Sequence, residues 1–382
     1  MNLAPAGERT GPSQKEAFAR IRLLRSPNIG PVSFHQLIAR FGGAEAALDA
    51  LPDLALRGRT SYRPAPAERI EREVAAVRAS GARYVFHDQP EYPALLGQIE
   101  SAPPIFTARG DLALVSAPAI AMVGARNASA ASVQLAREWA GQLAQAGFTI
   151  VSGLARGIDG AAHEGAFPQT VGVIASGIDI AYPPQHGELQ ERIARKGLLI
   201  AEQPPGTEPR GRHFPSRNRI IAGLASGTLV VEAAPRSGTL ITARLAGEAG
   251  REVMAIPGSP LDTRAQGCNQ LIRDGAVLVQ SPEDVIELVE GFTGAPRSTY
   301  RVAEGGAAFD YDELRTLQWG EARASDPAIG EAIARLLTKA PVTVDELIRQ
   351  SGAPSAEVHM ALLELELAGE LERHAGGAVS RL

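Results

Sequence analysis

The chain has 382 residues, 45% of them hydrophobic, with a single cysteine, Cys268. That length supports two or three domains with ordinary cores, and the lone cysteine excludes an internal disulfide framework and a cysteine-based metal cluster. The net charge of −5 argues against a uniformly basic nucleic-acid binder, yet residues 1–80 carry +4, residues 283–382 carry −9, and the middle is neutral.

The N-terminus (MNLAPAGERTGPSQKEAF) lacks the apolar stretch of a signal peptide. No run approaches the roughly eighteen apolar residues of a membrane span, so a cytoplasmic protein is expected. Residues 1–80 are expected to form a small helical domain. Its apolar residues recur at helical spacing and are broken at residues 27–31 (PNIGP) and at Gly42-Gly43. Helix, glycine-bearing hairpin, helix is the pattern of helix-hairpin-helix or SAM-like modules. Such hairpins either offer amides to a phosphate or pack against a neighbour.

From 82 to 290 strand and helix patterns alternate. Strands are expected at 119–124, 148–153, 170–177, 198–203, 228–233, 252–258 and 276–280, and residues 105–115 read as a hairpin leading into the domain. Strands this apolar are buried on both faces, which predicts a Rossmann-like, mostly parallel sheet with helices on both sides. Several end in glycine at the carboxyl edge, where open α/β sheets bind ligands. Residues 291–325 are glycine-rich and aperiodic and read as a linker. Residues 326–382 give three helices and a short hairpin, a winged-helix-like layout. Its third helix carries Glu357, Glu364 and Glu366 and no Arg or Lys, so this domain is expected to pack against a partner rather than read DNA.

Residues 202–258 hold the densest functional signal. Between positions 205 and 251 lie seven arginines and three glutamates, a local basic excess with Phe214 among it. Guanidinium forks, backbone amides and a stacking surface suit a polyanion that carries bases. In residues 213–221 (HFPSRNRII), Arg217, Asn218 and Arg219 open an apolar helix that needs no charge to fold. Pro215 is expected to hold the chain extended just before it, leaving Phe214 at the surface for a base to stack on; the competing reading puts Phe214 in the core.

Three other turns repeat the theme. In residues 123–129 (VGARNAS), Gly124 permits a tight turn, the next helix offers unpaired N–H groups, and Arg126 adds a charged fork. The plainer reading is a strand-to-helix turn with Arg126 solvated. In residues 152–163 (SGLARGIDGAAH), Gly153 and Gly157 free amides at the sheet edge, while Asp159 and His163, four apart on one helical face, are expected as a polar pair bracing the helix start rather than a catalytic couple, no Ser or Cys nucleophile being placed beside them. In residues 235–244 (PRSGTLITAR), Ser237 and Gly238 form an anion-accepting turn at a helix start, and Arg244 follows along that helix. Arg126, Phe214, Arg217 and Arg244 are expected to line one pocket. Neither the GxGxxG fingerprint nor a P-loop is present, and no residues have metal-ligand spacing, so no cofactor and no metal is expected.

VGARNAS, SGLARGIDGAAH, ASGIDIAYPP, FPSRNRIIAGL, LVVEA, SGTLITA, GREVMAIPG and GCNQLIRDGA occur in the order and spacing of the DNA-processing protein A (DprA/Smf) family, which the chain resembles from about 82 to 290. The flanking helical and winged-helix-like regions resemble the accessory domains of many members. The resemblance implies a protein without catalytic residues that binds and protects single-stranded DNA, dimerises, and helps load the RecA recombinase in natural transformation. Carried onto this sequence, the glycine-x-arginine turn falls on Gly124 and Arg126, the FPxRNR motif on Phe214, Arg217, Asn218 and Arg219, and the SGxLxTA-basic motif on Ser237, Gly238 and Arg244. His186 stands where the family commonly has Asn, and family lysines near the pocket are arginines here, which keeps charge but changes donor geometry. The alternative is a nucleotide-processing enzyme like the phosphoribohydrolases whose related loop reads PGGxGTxxE. The matching loop here lacks the required glutamate.

Overall fold

A computed structural model describes residues 11–57, 61–292, 326–374 and 377–382. The expected linker thus falls almost wholly, at 293–325, outside the described residues. Two compact units separate, one drawn from Met1–Arg72 and Glu304–Leu382, the other from Glu73–Ala303.

In the first unit, α1 (Gln14–Leu24), α2 (Pro31–Phe41) and α3 (Ala44–Arg57) follow one another, and α4 (Ala67–Ala79) begins here and runs into the second unit. The expected hairpin joins α1 to α2, with Asn28 in the left-handed region at φ 57°.

The second unit holds a nine-stranded sheet made of β1 (Arg83–Phe86), β2 (Ile105–Gly110), β3 (Ala119–Val123), β4 (Thr149–Ser152), β5 (Thr170–Gly177), β6 (Leu198–Gln203), β7 (Gly227–Val230), β8 (Glu252–Ala255) and β9 (Val277–Leu278). Their order is β1-β2-β6-β5-β4-β3-β7-β8-β9. All neighbours from β6 to β9 are parallel; β1 and β2 add an antiparallel edge. The expected 105–115 hairpin is therefore corrected: 105–110 is a strand of the main sheet, and a short helical turn at Leu112–Val115 follows it.

The helices of this unit are α5 (Ala94–Gly97), α6 (Ala130–Gln145), α7 (Ile158–Ala166), α8 (Gly187–Lys196), α9 (His213–Leu224), α10 (Gly238–Glu248), α11 (Gln266–Arg273) and α12 (Pro282–Glu290). Ile220 and Ile221 of α9 and Ala243 and Ala246 of α10 pack on one face of the sheet through Val123, Val151, Val173 and Val253. Trp139 and Leu143 of α6, Ile158 of α7 and Val285 of α12 cover the other face over Ile120, Met122 and Ile150. The apolar strands are thus buried on both sides, as their composition requires. Pro215 does not precede α9 in an extended segment. It lies in the first turn, where a residue without an N–H costs the helix no bond.

The C-terminal part of the first unit comprises α13 (Pro327–Leu336), α14 (Val344–Ser351) and α15 (Ser355–Leu367) with a three-stranded antiparallel sheet of β10 (Val342–Thr343), β11 (Leu371–His374) and β12 (Ala378–Arg381). Three helices and a wing result. Among the described residues no helix is long and apolar enough to cross a membrane.

Candidate nucleic-acid interface

The chain runs from β3 outward to β6 and returns through α9 to β7, so the strand order reverses between β3 and β7. Open α/β sheets hold ligands beside such a reversal, at the carboxyl edge. There the turns after β3, β4 and β5 and the start of α9 enclose a cleft of about 200 Å³. Arg126, Arg156, Arg217, Phe214 and Tyr182 line it, and no lining residue is acidic.

Arg217 is the buried floor of the cleft. It is 6% exposed, and its Nη1 donates to the carbonyls of Gly153 and of Val173, the latter at 2.8 Å. A Cβ on Gly153 would stand 1.8 Å from that nitrogen, so glycine is required there to admit the guanidinium. Nε of Arg217 has no partner among the described residues. Burial lowers the Arg217 pKa to about 10, with Asp159 opposing the shift and Arg126 adding to it. It remains a cation at neutral pH. Asp159, also buried, accepts from the Ala155 N–H at 3.3 Å; burial raises its carboxyl pKa, and the Arg217 charge offsets that.

Above this floor the rim is aromatic and basic. Phe214 is half-buried, in contact with cleft and helix alike. The Arg126 guanidinium lies over its ring at 5.1 Å from the centroid, and the Tyr182 ring, 40% exposed, meets it at 5.8 Å and 59°. Arg126 and Arg156 are exposed.

The turn after β3 departs from expectation. A Cβ on Gly124 would strike Ile158 at 2.5 Å, so this glycine serves the close approach of α7. The N-terminus of α6 is already satisfied: the Glu232 carboxylate accepts from the Ser129 N–H at 3.2 Å and from the Ser132 hydroxyl at 2.7 Å. An in-chain carboxylate stands where a phosphate was expected, because β7 delivers Glu232 beside β3.

Asp159 and His163 do not bond to each other. His163 is fully buried; its Nδ1 meets the Thr170 hydroxyl at 2.7 Å and its Nε2 accepts the Leu154 N–H at 3.3 Å. The expected polar pair is therefore corrected to two side chains that brace the turn separately. His186 also turns inward, its Nδ1 2.9 Å from the Leu154 carbonyl.

The remaining motif residues lie outside the cleft. Arg219 bonds to the Ser101 carbonyl and pairs with Glu202, both side chains largely buried. Asn218 is half-buried on α9. Ser237 caps α10 without a side-chain bond, and Gly238 behind it is exposed. Thr239 of the same turn donates to the Gly124 carbonyl at 3.0 Å, which sets the start of α10 against the β3 turn. Arg244 is exposed further along α10 and pairs with Glu248 at 3.4 Å. The four-residue pocket is therefore corrected to three: Arg126, Phe214 and Arg217 meet, and Arg244 does not join them. Tyr182 and Arg156 were missed. The signal for both was present, an aromatic and an arginine just past predicted strand ends.

A doubly covered parallel sheet with an arginine-lined cleft beside its strand-order reversal defines a Rossmann-like protein with a basic cleft at its sheet edge. The chain belongs to the DNA recombination-mediator protein A family, whose family model matches residues 83–290. A DprA-like N-terminal HHH domain matches 14–76 and a DprA winged helix domain 320–377. Protein Smf of Escherichia coli is 33% identical over 90% of this chain and 90% of its own length. The Bacillus subtilis DNA processing protein DprA is 40% identical over 57% of this chain and 75% of its own. Among solved structures, Streptococcus pneumoniae DprA superposes with a TM-score of 0.60 at 34% identity, covering 73% of this chain and 98% of that one. A structure describing the single-stranded DNA binding mode of Helicobacter pylori DNA processing protein A gives a TM-score of 0.50 at 28% identity, covering 55% of this chain and 96% of that one.

Proposed function

We propose that the chain binds single-stranded DNA without sequence preference at the Arg126–Phe214–Arg217 cleft, as a dimer, and passes it to a RecA recombinase. The carrying observation is Arg217. A guanidinium anchored through Nη1 on two carbonyls lines the floor of an open cleft without an acidic lining residue, and so presents a fixed positive charge to a ligand there. A phosphate answers that charge, and Arg126 and Arg156 on the rim supply more of it. Phe214 and Tyr182 offer ring faces to a base, a contact that tolerates any sequence because every base has a π-face. The start of α10 at Ser237 and Gly238 adds a further place for a phosphate, outside the cleft. The single-stranded DNA binding of the Helicobacter pylori relative supports the ligand; dimer and RecA follow from the family resemblance.

The reading is of a binder rather than an enzyme. His163 and Asp159 are engaged in bracing, and the 235–242 loop has no glutamate for phosphoribohydrolase chemistry. Fluorescence anisotropy with unrelated single-stranded oligonucleotides tests the reading, beside an assay for AMP hydrolysis. Similar affinities for each sequence, weakened roughly 5- to 150-fold by Phe214→Ala, are expected from one lost stacking contact. Turnover of AMP, or unaltered binding in that variant, would sink it.

A further inference from the structure

A winged-helix module lays one face of its third helix on its own core and presents the other to a DNA groove. The side of helix α15 opposite its own core is apolar. Val358, Ala361 and Leu362 close the module's core with Ile333, Leu347 and Val379. On the opposite stripe Met360, Leu363 and Leu367, between 1% and 3% exposed, join a second core with Leu23, Phe34, Leu37 and Leu51 of α1, α2 and α3. A helix with apolar stripes on two opposite sides, its glutamates confined to the flanks between them, is covered on both.

Polar contacts fix the register of this seam. The Asn28 amide in the N-terminal hairpin donates to the Leu367 carbonyl at 3.2 Å. Gln36 meets His359 Nδ1 at 3.3 Å, both side chains buried. Glu366, near Gly30, is held by Arg373 at 2.8 Å with little exposure of either. The hairpin that resembles a phosphate-binding element is therefore engaged by the end of α15.

We propose that the C-terminal module is an intramolecular clamp: α15 commits its outer face to α1–α3 of the same chain, so the two chain ends fold and open together. The occupant is the N-terminal helical domain, whose core lacks closure without Met360, Leu363 and Leu367.

Amide hydrogen exchange on the intact chain tests the coupling in both directions, which thermodynamic reciprocity requires. Leu363→Glu sets a carboxylate in the seam and is expected to raise exchange in α1–α3 by roughly tenfold or more, leaving the β3–β8 sheet unchanged. Leu37→Ala leaves every residue of the C-terminal module intact and is expected to raise exchange in α15. If α1–α3 keep their protection in the first variant and α15 keeps its own in the second, the clamp is overturned. Wild-type rates independent of protein concentration are expected for a contact within one chain. Rates in α15 that climb on dilution would assign its partner to a second copy and overturn the proposal equally.

Discussion

A guanidinium withdrawn from water needs acceptors for its N–H groups, and Arg217 finds them only in part within its own chain. The Gly153 and Val173 carbonyls take Nη1, and Nε is left over. Gly153→Ala should expel the guanidinium, since the new Cβ would stand 1.8 Å from Nη1. Each buried carbonyl left unbonded costs about 1–3 kcal/mol, so urea unfolding should show a loss of that order together with weaker DNA binding. Wild-type stability in this variant would mean that Arg217 is not seated against Gly153. His163 makes a separate residue-scale prediction. Burial holds its pKa down at about 3, with the His186 and Arg217 charges adding to the effect. The folded value lies below the ordinary 6.5, so the contribution of the neutral ring is complete above pH 6.5 and is lost as pH falls toward 3. The slope is up to about 1.4 kcal/mol per pH unit. His359, lowered to about 4 chiefly by burial, acts in the same direction. Urea midpoints between pH 6 and 4 should fall less steeply in His163→Gln than in the wild type; an unaltered slope would show that this imidazole does not titrate in the transition.

Two helices follow sheet-edge turns that look alike in sequence, yet their N-termini have different fates. Helix α6 is braced by Glu232, which arrives from β7 a hundred residues later, whereas α10 starts at Ser237 with no side-chain bond. Glu232→Ala should therefore destabilise the protein by about 2–4 kcal/mol, because the Ser129 N–H and the Ser129 and Ser132 hydroxyls lose their acceptor. Ser237→Ala should stay within about 0.5 kcal/mol of wild type in stability while weakening DNA binding. Reversal of the two outcomes in paired unfolding and anisotropy measurements would exchange the structural and binding roles given to these turns. The contrast also marks how far sequence could be read. The parallel strands were legible because burial on both faces leaves an apolar run, Arg126 because it adjoins such a run's end, and Phe214 and Arg217 because they open an apolar helix that needs no charge to fold. The occupant of the α6 terminus was not, since local pattern carries no word of a carboxylate brought in by strand order. Nor was the seat of Arg217 on α9, which depends on the missing side chain of Gly153 in the turn after β4. Strand β2 was misjudged for the same reason: its partner in the main sheet, β6, is about ninety residues further on.

At the scale of the whole molecule, a chain of net charge −5 attracts a polyanion only if its field is local, and the cleft meets that condition with arginines and no acidic lining. Screening acts within about 8–10 Å at ordinary salt, so charges lining the cleft weigh most. Counterion release then sets the salt dependence. For single strands the slope of log K against log salt is about −0.7 per phosphate contact, and three cleft arginines predict a slope near −2. Arg126→Ala and Arg156→Ala should each make it shallower by about 0.7. Phe214→Ala should lower affinity at every salt concentration while leaving the slope alone, because stacking releases no counterion. Titrations across a salt series separate the two kinds of contact within one protein. Parallel lines for wild type and both arginine variants would move the phosphate track off this cleft, whatever the affinities.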